Sequence, residues 1–473
     1  RAQEFNEDLA RTFEGIGARL QLENEVVKIA EIIPGGPAFK AKTLEVNDRI
    51  VAVAQGKDGE FVDVIGWRLD VTVTKIKGPK GTIVRLKVIP AGEELSATPK
   101  IVELVRDKVV LEDQSAKRTI KTVTQDGKSY KIGIIQIPAF YADFKAMQAR
   151  DPNYKSTTRD VKLLLDTLKR ENVDAVVIDL RSNGGGSLPE AISLSGLFIK
   201  SGPIVQVRDR RNNVEIEEDE DPGIAWTGPL GVLQDRFSAS ASEIFAGAIQ
   251  DYGRGIIIGN QSYGKGTVQQ GIDMGRVIGT ADKLMLKAAQ TAGNKSGAVI
   301  SSNAPEFGQI NLTMAKFYRV NGSTTQHKGV VPDIELPTVF PKDKYGESSE
   351  PRALPWDTIA PSKYSLVANL EDVKRKLLSL HKERMKTSLG YQNLQQDIAE
   401  FAKREAETTI TLNEVQLKKE RDEQEAKVLL RENQRRAAKG LPPLKKGEAR
   451  PKDDVDFIRD EGLQIMADYI SNK

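Results

Sequence analysis

The chain has 473 residues, 39% hydrophobic and 29% charged, enough for about three domains of soluble, globular type with a helical, charge-rich part. Its net charge of +3 is near balance, so composition names no nucleic-acid partner, and no uninterrupted apolar run approaches the ~18 residues that a membrane span needs. There is no cysteine and there are only two histidines, which excludes structural disulfides, thiolate metal sites and a cysteine nucleophile.

Residues 1–12 read as the end of a helix. From Phe13 to about Pro90 the pattern is β-rich: GIGARLQL, VVKIAEII, DRIVAVA and TIVRLKVIP alternate or run apolar with β-branched residues. PGGP (34–37) marks a turn, and VIGWRLDVTVTKIKG (64–78) sets Ile65, Leu69, Val73 and Ile76 at helical spacing. Residues 97–345 read as α/β. A turn at DGKSY (126–130) leads into the strand KIGIIQIPAF, and residues 157–171 form an amphipathic helix. DAVVIDL (174–180) is a short apolar run of the kind buried on both faces, and it ends in RSNGGG (181–186). A helix at LPEAISLSGLFI and strands at PIVQV, GPLGVLQD and GRGIIIGN follow, so helices are expected to cover a sheet. RDRRNNVEIEEDEDPG (208–223) reads as an exposed, solvated loop. Residues 363–439 are Lys/Glu-rich and poor in Gly, and the helix over 417–440 is expected to stop at Gly440 before LPP. The region reads as solvated helices or a helical bundle.

The residues that point to chemistry are Ser240, in SASASEIFAGAIQDYG (238–253), and Lys265, in SYGKGTVQQG (262–271). With no cysteine available, lysine is the natural base to activate a serine. A lysine works as a base only when neutral, which near pH 7 requires its reference pKa of ~10.4 to fall by about three units. Gly264 and Gly266 let backbone pack closely around Lys265. If TVQQ continues as a strand, Gln269 lies on the same face as Lys265, four positions on, and can hold its amine. An oxyanion hole needs two donors aimed at one point. The Ala241 N–H, at the start of a helix after Ser240, supplies one. Gly184 and Gly185 in RSNGGG are candidates for the second, because glycines adopt backbone geometries that turn N–H groups toward an anion. Taken alone, RSNGGG reads equally well as a flexible turn.

Three other features are set against this reading. Asp251 shares a helix face with Ser240 but lies roughly 16 Å further along the axis, which points to a structural role. GNQSYGK (259–265) fits the first seven positions of a phosphate-binding loop, but Gly266 stands where Ser or Thr should bind magnesium, and TVQQGI looks like strand where a helix should open. His327 and His381 have polar neighbours and no metal-ligand spacing, so both read as surface residues.

Together SASASE, GKGTVQ, RSNGGG and KGVVPD (328–333) resemble the bacterial tail-specific, or carboxyl-terminal processing, protease family, over nearly the whole chain and in the family's motif order. The resemblance implies residues 1–12 as the remnant of an N-terminal helical domain, 13–96 as a PDZ domain, 97–345 as the Ser-Lys protease core, and 353–473 as the C-terminal helical domain of the family's long branch. It implies a serine endopeptidase with Ser240 as nucleophile, Lys265 as general base and Gln269 orienting it, while Asp251 falls where an aspartate has sometimes been counted with the site. It implies a carboxylate-binding loop at Phe13–Gly17, with Gly15, Ile16 and Gly17 offering N–H groups to a substrate's terminal carboxylate. The strand from Ala18 through Leu20 to Leu22 would pair with the substrate backbone. The implied partners are unfolded or tail-exposed proteins with apolar C-termini, and an adaptor protein; no cofactor or metal is implied. The implied location is the bacterial periplasm. The chain begins at Arg1 with no charged-then-apolar signal segment, so a mature or trimmed product is expected. The rival from another class is a non-catalytic peptide-binding scaffold using only the PDZ domain, which would need none of Ser240, Lys265 and Gln269.

Overall fold

Strand patterning organises the chain into two units, residues 1–115 with 141–156 and residues 116–140 with 157–473. The computed structural model describes residue 7 and residues 10–111, 114–151, 154–219, 221–283, 285, 308–409, 411–448 and 455–472. The helix expected over 1–12 lies mostly outside them.

The first unit holds β1 (Thr12–Gly15), β2 (Ala18–Glu23), β3 (Val26–Ile32), α1 (Pro37–Ala41), β4 (Arg49–Gln55), β5 (Val62–Asp63), α2 (Leu69–Ile76), β6 (Ile83–Ile89), β7 (Lys100–Val105), β8 (Asp107–Val110) and α3 (Phe144–Gln148). Its main sheet runs β2-β3-β4-β6-β7 with β5 on β4, and β1 pairs with β8. The alternation of IVRLKVI puts Val84, Leu86 and Val88 in the core and leaves Arg85 and Lys87 partly exposed. β7 does the same with Val102 and Leu104. It pairs with β6, so residues from 100 on, assigned by patterning to the next domain, complete this sheet. The helix expected over 64–78 is shorter. Gly66 turns at φ 76, Arg68 is still extended, and the helix runs from Leu69 to Ile76. Buried Arg106 closes its far end, donating to the carbonyls of Lys75 and Ile76 at 3.1 and 2.8 Å.

The second unit begins with β9 (Lys117–Gln125) and β10 (Lys128–Gln136), then α4 (Thr157–Arg170), β11 (Ala175–Asp179), α5 (Leu188–Gly196), β12 (Gly202–Asp209), β13 (Val214–Asp219), β14 (Leu230–Gln234) and α6 (Ala241–Asp251). It continues with β15 (Ile256–Gly259), β16 (Thr267–Asp273), α7 (Met274–Val277), β17 (Gln309–Tyr318), β18 (Ile334–Glu335), α8 (Glu371–Thr387), α9 (Leu389–Ala406), α10 (Glu414–Ala438) and α11 (Phe457–Ser471). The central sheet runs β18-β15-β14-β11-β10-β9. It is parallel except for the β9–β10 hairpin, whose turn residues Asp126 and Gly127 both have positive φ.

Both faces of the parallel part of this sheet are covered, which is why β11, β14 and β15 are buried along their whole length. Val176 and Ile178 of β11 pack with α4, α5 and α6, through Leu165, Leu194 and Phe245 among others. The alternate residues, Ala175 and Val177, face a second core built from Leu377 of α8 and from Leu463, Ile465 and Met466 of α11. A second sheet runs β13-β12-β17-β16 and carries the strand that follows Lys265. Residues 208–219 correct the loop expected over 208–223: β12 and β13 form an antiparallel hairpin there. Its strand signal is hidden because Val214 and Ile216 are themselves 44% and 45% exposed beside acidic neighbours, so no apolar face turns inward. The Lys/Glu-rich region is helical as expected, and α10 stops just before Gly440, whose φ is 68.

Candidate active site

Ser240 sits between β14 and α6, at the end of the sheet where α/β folds place their sites. Its φ of 57 and ψ of −113 are unusual for a non-glycine residue, and such strain costs of order 1–3 kcal/mol. The surroundings hold it there. Its N–H donates to Glu243 Oε2 at 2.8 Å, and its carbonyl accepts the N–H groups of Glu243 and Ile244 at 2.8 and 3.0 Å. The Ala241 N–H opens α6, where a helix offers no internal partner.

Glu243 is the residue that the sequence reading missed. Its side chain is fully buried and joins the two motifs. Oε1 accepts from Ser262 Oγ at 2.6 Å and Gly264 N at 2.7 Å, while Oε2 accepts from Ser240 N and from Lys265 N at 3.0 Å. Burial pushes its carboxyl up to about 7 against the pull of these donors, which favour the anion. The signal was present: Ser240 and Glu243 have the spacing of a helix-capping box.

Lys265 lies in a turn with no room for side chains on either flank. Gly264 has φ 94, and a Cβ there would meet the His327 carbonyl carbon at 2.8 Å; one at Gly266 would meet Thr324 Oγ1 at 2.6 Å. Gly266 N donates to Gln326 Oε1 at 2.8 Å, and His327 N to Gly264 O at 2.8 Å. Lys265 Nζ reaches Gln269 Oε1 at 3.4 Å across the start of β16. Gly185 has φ 102 and packs directly on the serine: a Cβ there would lie 2.8 Å from Ser240 Cβ and 3.1 Å from Ala241 N. The Gly185 N–H is engaged by Asn183 Oδ1 at 2.9 Å. The Asn183 carbonyl accepts from Ala239 N at 3.0 Å and Ser242 Oγ at 2.9 Å, tying the glycine loop to the head of α6. Gly184, Ala239, Tyr263, Lys265 and Gln269 line one cleft of about 610 Å³.

Asp251 lies at the opposite end of α6. It accepts from Arg319 Nε and Nη2 at 2.9 and 2.7 Å and from Asn321 Nδ2 at 2.8 Å. His327 is half-buried, with φ 63, behind the Lys265 turn. His381 departs from the surface position expected of it. It is 5% exposed, and Nδ1 lies 2.8 Å from Glu461 Oε1 between α8 and α11.

In the first unit, Phe13, Ile16, Ala18, Leu20, Val73 and Ile76 line a groove of about 270 Å³ between β2 and α2. β2 is the edge of its sheet. Gly17 has φ 76, and a Cβ there would strike Gly36 Cα at 2.9 Å. The carbonyls of Ile16 and Gly17 accept from Ala38 and Ile33, fixing the turn. Among the described residues, no helix is long and apolar enough to cross a membrane.

Residues 131–336 match peptidase family S41, residues 340–471 match the C-terminal domain of tail specific protease, and residues 8–89 match the PDZ domain. The chain is 39% identical over 474 residues to the tail-specific protease of Haemophilus influenzae, an alignment covering 99% of this chain and 62% of the relative. It is 28% identical to the carboxy-terminal-processing protease of Bartonella bacilliformis, covering 73% of this chain and 66% of the relative. Just under two thirds of each relative is therefore spanned. A solved PDZ domain of the carboxy-terminal protease from Vibrio cholerae, in complex with peptide, is 46% identical over 21% of this chain and 97% of its own, with a TM-score of 0.20.

Proposed function

The chain belongs to the tail-specific, C-terminal processing protease family, and on that premise we propose that it is a serine endopeptidase with a Ser240–Lys265 dyad. The observation that carries this reading is the Glu243 carboxylate, which holds the backbones of Ser240 and Lys265 at once, while Gln269 holds the Lys265 amine. A scaffold that only bound tails would have no use for that arrangement.

Ser240 Oγ attacks the scissile carbonyl carbon, and Lys265, in its amine form, takes the hydroxyl proton. Negative charge gathers on the carbonyl oxygen and is met by the Ala241 N–H and by Gly184. Gly185 contributes the close approach, since its own N–H is occupied by Asn183. The C–N bond breaks, Lys265 passes the proton to the departing amine, and an acyl-enzyme on Ser240 remains. Water then attacks the ester, Lys265 takes its proton and passes it to Ser240 Oγ as the ester C–O bond breaks, and the carboxyl product leaves with the serine hydroxyl and the Lys265 amine restored. Gln269 orients the amine and transfers no proton. Asp251, engaged by Arg319 and Asn321, supports the far end of α6.

Substrate choice belongs to the first unit. A terminal carboxylate meets the N–H groups of the Gly15–Gly17 turn, the substrate backbone adds to the edge of β2, and an apolar last side chain enters the groove lined by Ile16, Leu20, Val73 and Ile76. The substrates are unfolded or tail-exposed proteins, delivered alone or through an adaptor, in a bacterial periplasm. The test is a pair of unfolded substrates differing only in the last three residues, apolar or charged, incubated with the protein and with its Ser240→Ala variant. Cleavage of the apolar-tailed substrate by the parent alone is the expected result. Cleavage by both proteins would remove Ser240 from the mechanism.

A further inference from the structure

α11 is the last helix of the chain, yet it packs beneath the central sheet of the peptidase. A Cβ on Gly231 of β14 would strike Met466 Sδ at 2.6 Å, and one on Gly462 would strike Leu233 at 2.7 Å, so strand and helix interlock with no spare volume. The residue that starts this helix, Asp456, accepts the Arg459 N–H at 3.0 Å as its N-cap. The same carboxylate also takes Arg181. Nη1 and Nη2 of Arg181 donate to Asp456 Oδ1 and Oδ2 at 3.0 and 2.8 Å. Nε and Nη2 donate to Asp179 Oδ1 and Oδ2 at 2.9 and 2.7 Å. One guanidinium is thus held by two carboxylates in the paired geometry that only arginine provides. Burial alone would pull its pKa down, but the two carboxylates hold it above the ordinary range. Burial pushes Asp456 up, and the Arg181 bonds outweigh that and keep it below the usual carboxylate range.

Arg181 is also the first residue of the glycine loop. After it, Ser182 has φ 59 with its N–H on Asp235 Oδ1 at 2.9 Å, and Asn183 Nδ2 donates to Ile137 O at 2.8 Å. Gly185 and Gly186 follow at φ 102 and 144. A loop with so many positive φ values needs external anchors, and Arg181 is the anchor at its root. Helix docking does not require this bond, because Leu463, Ile465, Met466 and Tyr469 already bury the helix, and any N-capping side chain would satisfy Arg459.

We propose that Asp456 and Arg181 are positioning residues, through which the chain's C-terminal helix sets the glycine loop against Ser240. This rests on the serine-peptidase reading, and it gives the C-terminal region a part in assembling the oxyanion site.

The test is Asp456→Asn in the full chain, with Arg181→Lys as the second variant. Asparagine remains a good N-cap but cannot complete the paired ion contact, and lysine keeps the charge without the fork. The expected result is a kcat lower by about ten- to a hundred-fold with KM held within about two-fold, as for a misplaced catalytic group. Melting should stay within about 4 °C of the parent. Phosphonylation of Ser240 by a fluorophosphonate should slow by the same factor as kcat, Asp456→Glu should recover most of the rate, and amide exchange should rise over residues 181–187 while the remaining core is unchanged. Parental kcat in both variants, a rise in KM alone, or a loss that tracks a lower melting temperature would overturn the proposal. If the parent is not labelled at Ser240, the serine-peptidase reading falls; amide exchange over 181–187 still decides the clamp, and unchanged exchange there refutes it.

Discussion

Glu243→Gln separates two consequences of one buried carboxylate. The substitution keeps the shape and replaces one oxygen by a donor. If the new NH₂ takes the Oε2 position, the N–H groups of both Ser240 and Lys265 lose their acceptor. If it takes the Oε1 position, Gly264 N–H is orphaned, and Ser262 must turn its hydroxyl elsewhere while still accepting from Val330 N at 2.7 Å. The second arrangement is cheaper, one buried unsatisfied donor costing about 1–3 kcal/mol. The opposing effect is the relief of burying a charge. A rise from the ordinary 4.5 to about 7 corresponds to roughly 3 kcal/mol between the two protonation states. Because the folded value is the raised one, the folded protein binds more protons than the unfolded chain between pH 4.5 and about 7. This stabilisation is fully present below pH 4.5 and is lost as pH rises through about 7. Denaturant unfolding of the parent and of Glu243→Gln at pH 4.5 and pH 8 measures it. The variant should lack the part of the pH dependence, about 3 kcal/mol, that the parent owes to this group. Fluorophosphonate labelling of Ser240 should slow about ten-fold or more at pH 8, since the orphaned Gly264 N–H displaces the Lys265 turn relative to the serine. Identical pH dependence in the two proteins, together with parental labelling, would mean that the Glu243 carboxylate neither titrates with folding nor positions the serine.

Lys265→Arg should be as inactive in peptide cleavage as Lys265→Ala, because arginine keeps its proton at every accessible pH; measurable turnover by the arginine variant would dismiss Lys265 as the base. Gln269→Ala should lower kcat less than Lys265→Ala does, and equal losses would give Gln269 more than an orienting role. Asp251→Asn should destabilise the core by about 3 kcal/mol, because the side chain of Arg319 is only 14% exposed and loses its charged partner, while folded protein still cleaves. Well-folded but inactive Asp251→Asn would reverse that assignment. Amidating a substrate's C-terminus, or ending it in charged residues, should slow cleavage about ten- to a hundred-fold at sub-saturating concentration, the value of burying one apolar side chain. Equal rates would mean that the groove between β2 and α2 does not read tails.

What the sequence made legible was local. The run DAVVIDL is apolar on both faces because helices cover both, and that signal is continuous in the chain. Glycines 264 and 266 flag a turn with no room for a Cβ, and Ser240 heads a helix as its flanking small residues suggest. What stayed hidden depends on partners far away in sequence. The charged residues Glu461 and Asp468 disguise α11 as a surface helix, yet both are buried, because Arg384 on α8 reaches them at 2.7 and 2.6 Å. His381 is buried by that same cluster. Asp456 and Arg181 show nothing of their pairing until the fold brings them together. β13 was missed for a different reason: its Val-Glu-Ile-Glu alternation lies on an edge strand with Val214 and Ile216 exposed among acidic neighbours, so the run reads as a solvated segment.

Everything proposed for this site turns on Ser240 acting as the nucleophile of a peptidase. Its most direct measurement is mass spectrometry of the protein after a fluorophosphonate, with cleavage of an unfolded, apolar-tailed substrate followed in parallel for the parent and Ser240→Ala. The expected result is one phosphonyl adduct on the peptide carrying Ser240, loss of cleavage in step with labelling, and neither adduct nor cleavage in the folded Ser240→Ala protein. Cleavage by Ser240→Ala at the parent's rate, or inactivation through an adduct on another residue, would contradict it.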